Sequence, residues 1–212
     1  MKTTSQQLAE SIRSKIVSGN LLGGTPLKQD KLAEEYGVSK IPVREALYLL
    51  QNEGLVIFIN NRGSLVSELS ISEVEEIYTM RIALEEIALA RAIPNLNLSD
   101  YASAEAALKL LEDCQEPTEL SALNWQFHQS LYRAAQMPKL LETVSMLHNN
   151  VARYLLLYLN ALNQQAHSQA EHWELLRACR EGKVAYAVGI LKQHLLDAQY
   201  CTTEYMKAQQ QA

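Results

Sequence analysis

No run of about 18 apolar residues occurs anywhere in the 212-residue chain, which leaves no segment able to cross a bilayer as a helix. Cysteine is scarce as well. Cys114, Cys179 and Cys201 are odd in number and far apart, so neither a disulfide framework nor a cysteine zinc site is expected, and three buried, inert thiols are the reading. Repeats and low-complexity tracts are missing, apart from a polar, Gln-rich end that is expected to fray. The first residues lead straight into an amphipathic helix with no apolar signal core, so a cytoplasmic protein is expected. No HExxH pair occurs, which removes a common signature of helical zinc hydrolases.

What is present is ordinary for a globular protein: 48% apolar and 20% charged residues. The formal charge of −5 is unevenly spread. Residues 1–66 hold eight Lys+Arg against six Asp+Glu, whereas the rest hold eleven against eighteen. The first segment is therefore the one better suited to a polyanionic partner.

The pattern divides near residue 68. Before it, three helices are expected at about 4–18, 28–36 and 39–53, with stripes that include Leu8, Ile12 and Ile16, then Leu32, then Val43, Leu47 and Leu50. Gly37 suits a left-handed cap and Ser39 an N-cap, and Pro42 falls in a first turn where its missing N–H does no harm. The β-branched run 55–59, a turn at 60–63 and a return at 64–66 predict a two-stranded hairpin packed on the helices. Three helices and a hairpin make a winged helix. From Ser70, which with Glu73 forms a capping box, six helices are expected at about 70–93, 99–113, 118–136, 138–162, 166–181 and 183–208. The fold class is therefore mainly α: a winged helix-turn-helix domain at 1–68 and an all-helical bundle at 69–212.

In the first domain Ala33 is small where two helices must cross, Gly37 turns the chain and Val38 plugs the angle between them. Ser39, Lys40, Ile41 and Arg44 then lie at the start of the third helix, off its apolar stripe. Ser39 and Lys40 can reach phosphates, Ile41 a thymine methyl, and Arg44 the edge of a guanine. Arg62 and Gly63 stand at the wing tip, where glycine lets backbone approach a minor groove. Taken alone, Lys40 and Arg44 read better as a solvated helix face, because basic residues on exposed helices are common. The larger pattern resembles the GntR family of regulators: Leu32-Ala33, Gly37-Val38-Ser39, Pro42-Val43-Arg44-Glu45-Ala46-Leu47, Glu53-Gly54-Leu55 and Gly63 stand in register with that family's signature. The family commonly has Arg-Thr where this chain has Lys40-Ile41. The resemblance implies a transcription regulator that binds double-stranded operator DNA as a homodimer.

The second domain resembles the FCD effector domain of the FadR-like branch of that family, through Arg81 to Glu85, Phe127-His128, Glu171-His172 and Gln193-His194-Leu195. The resemblance implies a divalent metal, Zn or Ni, on one Asp and three His, and a small carboxylate effector beside it. By position the ligands are Asn124, His128, His172 and His194, with Asn124 replacing the family's Asp. Spacing groups some of these residues independently. Asn124 and His128 share a helix face. His172 lies ten residues before Gly182 and His194 twelve after it, so in an antiparallel pair they come within about 3 Å of one height. His148 and His167 lack such partners and are read as surface residues.

Arg81, on an inward stripe, either grips the effector's carboxylate or pairs with Glu85 one turn on. Arg153 is a second candidate for the effector. An inward histidine beside apolar neighbours is more often a hydrogen-bonded core residue than a metal ligand. A metal-dependent hydrolase on the bundle, or a helical adaptor without an effector, are the other functions these residues permit. Glu171 and Glu85 are the only general bases on offer to the hydrolase.

Overall fold

A computed structural model describes residues 2–60, 63–114, 117–162 and 165–210, and at 117–118, 153, 155–162, 165 and 209–210 the backbone alone. It divides into two compact units, residues 1–69 and 70–212.

In the first unit α1 (Thr4–Val17) opens with a capping box between Thr3 and Gln6, which satisfies two of the N–H groups that a helix start leaves bare. It buries Leu8, Ile12 and Ile16. α2 (Gln29–Tyr36) ends at Gly37, whose φ of 63° is left-handed. The Gly37 N–H donates to Glu34 O and the Val38 N–H to Ala33 O. This pair of bonds closes the helix and turns the chain sharply into α3 (Lys40–Asn52). The four buried residues Val43, Ala46, Leu47 and Leu50 face α1 and the sheet. Ser39 occupies the N-cap position of α3, but its side chain makes no capping bond, which corrects the expectation that it would.

The expected hairpin is β2 (Val56–Ile59) against β3 (Gly63–Val66), with Val56 opposite Val66 and Ile59 opposite Gly63. A third strand was not foreseen. β1 (Pro26–Leu27) pairs with the other edge of β3, giving the order β1-β3-β2. Two residues are too short for an alternation signal, and a proline is tolerated there because the strand is an edge. Ser64 Oγ, buried, donates to Leu27 O at 2.8 Å and pins that edge.

The second unit is helical. Its elements are α4 (Ile71–Ala92), α5 (Leu98–Asp113), α6 (Pro117–Tyr132), α7 (Pro138–Leu162), α8 (Gln165–Arg180) and α9 (Val184–Gln210). The Ser70–Glu73 capping box is present, with Ser70 N–H donating to Glu73 Oε2 at 2.7 Å. α4 packs on α9, α7 and α6, α5 on α6 and α8, and α8 on α9. Leu89, Leu108, Phe127, Leu131, Leu175 and Leu191 fill one apolar core. Beside it run buried polar side chains from five helices: Arg81 and Glu85, Asn124 and His128, His148, His172, and His194. Cys114 and Cys179 are buried, and burial pushes the Cys179 thiol up to about 12. Cys201 is only half-buried, which departs from the expectation of three buried thiols. No described helix is long and apolar enough to cross a membrane.

Candidate functional site

Two surfaces carry chemistry. On the first unit, Ser39, Lys40, Ile41 and Arg44 are all exposed at the start of α3, with Ile41 71% exposed. An apolar side chain held that far into water is not core. The uncapped start of α3 also presents bare N–H groups and the positive end of the helix dipole, which suits a phosphate. Lys40 is paired with Asp30. Arg44 carries no ion pair among the described residues; its Nη2 donates to Tyr48 Oη at 3.1 Å and its guanidinium lies 5.5 Å from that ring. Tyr48 in turn stacks on Phe58 of β2, centroids 4.9 Å apart. Sequence reasoning missed Tyr48, although Arg44 and Tyr48 one turn apart on an outward face were the available signal. Gly63 has a φ of 80°, and a Cβ there would meet nothing, so the backbone conformation and not crowding requires glycine. Arg62 lies outside the described residues.

In the second unit three of the expected ligands converge. One ring nitrogen each from His128, His172 and His194 lies within 4.8 Å of the others, and all three residues are buried. His172 Nε2 and His194 Nε2 are 3.3 Å apart, and Asn124 Nδ2 is 3.5 Å from His172 Nε2. Burial drives the His128 and His172 pKa values well below the ordinary imidazole value, reinforced by their histidine neighbours and, at His128, by Arg81. His128 and His172 are therefore held in the neutral form, each with a lone pair to offer.

The partners behind the rings set which nitrogens are free. Glu171 Oε2 stands 2.8 Å from His194 Nδ1 and accepts a hydrogen bond from it, which orients the ring with Nε2 toward His172. Tyr132 Oη donates to Glu85 Oε2 at 2.7 Å and so can accept from His128 Nδ1 at 3.3 Å. That leaves His128 Nε2 as a lone pair. His172 Nδ1 has no hydrogen-bond partner among the described residues. Two imidazole nitrogens at 3.3 Å are joined either by one N–H or by a shared cation. Two ligands about 2.0–2.1 Å from a tetrahedral Zn²⁺ stand about 3.3 Å apart, so the spacing fits an ion. Rotating the Asn124 amide puts its oxygen where its nitrogen stands, which would add a neutral oxygen donor. Donors of this kind suit Zn²⁺ or Ni²⁺.

Arg81 is buried and its Nε donates to Glu85 Oε1 at 2.7 Å, so the ion-pair alternative is realised. His148 is not the surface residue expected. It is 2% exposed, stacked on Trp125 at 4.6 Å, and its Nδ1 has no hydrogen-bond partner among the described residues. Its burial follows from α7, whose stripe includes Val144, Leu147 and Val151, all buried. His167 is exposed, as read from the sequence, and stands 3.5 Å from Glu171. The Arg153 side chain lies outside the described residues.

Residues 4–66 match the model of bacterial regulatory proteins of the gntR family, and residues 76–197 match the FCD domain. The chain belongs to the GntR family, in its FCD-domain branch. It is a DNA-binding transcription regulator and not an enzyme. It is 31% identical over 129 residues to the uncharacterized HTH-type regulator YdhC of Bacillus subtilis, a stretch covering 59% of this chain and 58% of that protein. The gluconate operon transcriptional repressor of Bacillus licheniformis is 28% identical over 172 residues, 80% of this chain and 70% of its own. Among solved structures, Escherichia coli McbR/YncC superposes with a TM-score of 0.87 over 97% of this chain and 100% of its own, at 24% identity, a likeness of fold.

Proposed function

We propose that this GntR-family regulator is a cytoplasmic, homodimeric repressor whose operator affinity is set by a small carboxylate bound in the helical domain beside a divalent metal. The observation that carries the reading is the cluster of three buried histidines with ring nitrogens within 4.8 Å. Such a cluster is costly in a core that has no use for it, because each buried polar atom left unpaired costs about 1–3 kcal/mol. His128, His172, His194 and the Asn124 oxygen would hold the ion, and all four are neutral donors. A bound metal would supply a Lewis-acidic site with its full positive charge uncompensated, and that charge favours an anion as the further ligand. Arg81 contributes a second cation; a guanidinium has two nitrogens besides the Nε that serves Glu85. Arg153 is kept as a further effector contact. Ser39, Lys40, Ile41, Arg44, Arg62 and Gly63 make the DNA contact, in which a twofold dimer sets two α3 helices on a short palindrome. The name of the Bacillus licheniformis relative supports repression over activation.

The test is operator retardation by the full chain with its metal, after chelation, and with His128→Ala/His172→Ala, each against a panel of small carboxylates. The reading expects a carboxylate that shifts operator affinity only while the metal is bound, and Asn124→Asp should raise metal affinity by about tenfold, or 1.4 kcal/mol. Purified protein that holds no metal after soaking with Zn²⁺ or Ni²⁺ would overturn it.

A further inference from the structure

A second group of ligand-type side chains lies outside the buried cluster. His167 and Glu171 are one turn apart on α8, and Asp197 sits on α9 three residues after His194. One ligand atom from each lies within 4.8 Å of the others. His167 is exposed, whereas Glu171 and Asp197 are half-buried.

Charge makes this grouping unusual. No described Lys or Arg forms an ion pair with Glu171 or Asp197. Lys192, on the same helix as Asp197, is paired with Glu86 instead. The described partner of Asp197 Oδ1 is the neutral Gln193 amide, which donates to it at 2.9 Å, and the described partners of Glu171 are two histidines. Among the described residues, two carboxylates thus stand together with no fixed cation, and a half-buried anion calls for one. The separation of His167 Nε2 from Glu171 Oε1 is 3.5 Å. That is too long for a good hydrogen bond. Two neighbouring donors on an octahedral ion stand about 3 Å apart, so a few tenths of an ångström of side-chain movement would set this pair on one ion.

We infer that His167, Glu171 and Asp197 form a second, solvent-facing divalent-cation site with one imidazole and two carboxylate donors. The donor set differs from the buried one in a way that fixes its preference. Oxygen-rich, anionic and open to water, it suits Mn²⁺ and other ions that keep part of their hydration, whereas the neutral nitrogen cluster suits Zn²⁺ or Ni²⁺. Glu171 belongs to both neighbourhoods. Its Oε2 accepts from His194 Nδ1 and its Oε1 faces the outer site, so one carboxylate orients an inner imidazole and ligates outside. The outer site does not depend on metal in the buried cluster, and either can exist without the other.

The experiment is a Mn²⁺ titration of the full chain, followed by loss of the free-ion EPR signal. The wild-type chain and the His128→Ala/His172→Ala variant should each bind one Mn²⁺ at the outer site. His167→Ala/Asp197→Asn should weaken that binding at least tenfold. Because neither of those two positions is in the core, melting should stay unchanged, which a thermal scan checks. Mn²⁺ binding within twofold of wild type in His167→Ala/Asp197→Asn, or no binding by the wild-type chain at millimolar Mn²⁺, overturns the inference. A parallel Zn²⁺ titration separates the two readings. Loss of Zn²⁺ binding in His128→Ala/His172→Ala while Mn²⁺ binding persists supports both sites. A wild-type chain that binds Mn²⁺ but never Zn²⁺ at the histidines leaves the outer site standing and removes the inner one.

Discussion

The two units place their charged groups in opposite ways. In residues 1–69 the cations are on the surface, where Lys2, Arg13, Lys15 and Lys40 are paired with acids and Arg44 is held by Tyr48. That unit contains no histidine. Residues 70–212 hold all five histidines, four of them buried, together with the buried Arg81–Glu85 pair. A reading surface is built of groups whose loss the fold does not notice. A polar interior is built of groups the fold must hold in one protonation state and one geometry. The same kind of substitution should therefore cost binding in one unit and stability in the other.

Glu85→Ala should have the largest effect. It leaves the buried Arg81 cation and the Tyr132 hydroxyl without their acceptor, and breaking a buried pair this way costs about 3–5 kcal/mol. Calorimetry should show the transition of the helical unit fall while that of the first unit stays. A single transition in which both fall equally would erase the distinction between the units.

Acid should act on the same side of the comparison. Burial holds His128, His148 and His172 well below the ordinary imidazole value, so the folded state keeps them neutral. Above about pH 6.5 the unfolded chain keeps them neutral as well, and the full stability is present. As pH falls below that value the unfolded chain takes up protons that the folded chain refuses, and stability drops by up to about 1.4 kcal/mol per pH unit for each group. Denaturant melts of chelated protein between pH 7.5 and 5 should show this loss in the helical unit and not in the histidine-free first unit. A flat profile for the helical unit would mean the histidines are not held neutral.

Arg44→Ala probes the other side. Specific operator binding should weaken by about 1–3 kcal/mol with melting unchanged, read by retardation gels beside a thermal scan. Unchanged operator affinity would remove α3 as the reader. Tyr48→Phe is the smallest change: it deletes the hydroxyl that receives Arg44 Nη2 but keeps the ring on Phe58. A loss of about 0.5–1.5 kcal/mol in operator affinity is expected if that bond orients the guanidinium. No change would mean that Arg44 is positioned by DNA alone.

Much of this was legible in the sequence because its causes are local. The helices announced themselves through 3.6-residue stripes and through caps such as Ser70–Glu73. Gly37 did so because a left-handed cap favours the residue without a Cβ. Spacing about Gly182 brought His172 and His194 to one height because a helical rise is fixed. β1 was not legible, since two residues have no period, and Tyr48 was passed over because only its partner Arg44 gives its position meaning. His148 was misread because an imidazole alone does not say which face of α7 turns inward.

The sequence by itself determined the element order, the turn chemistry of the helix-turn-helix and which residues could share a helix face, because propensity, capping and periodicity act over a few residues. Tertiary structure decided the rest. It chose the ion pair for Arg81, set Glu171 against His194, buried His148 on Trp125 and added β1 to the edge of β3. Each of these joins residues on different elements or depends on the medium around them, and burial, pairing and the protonation they impose exist only once the helices have packed.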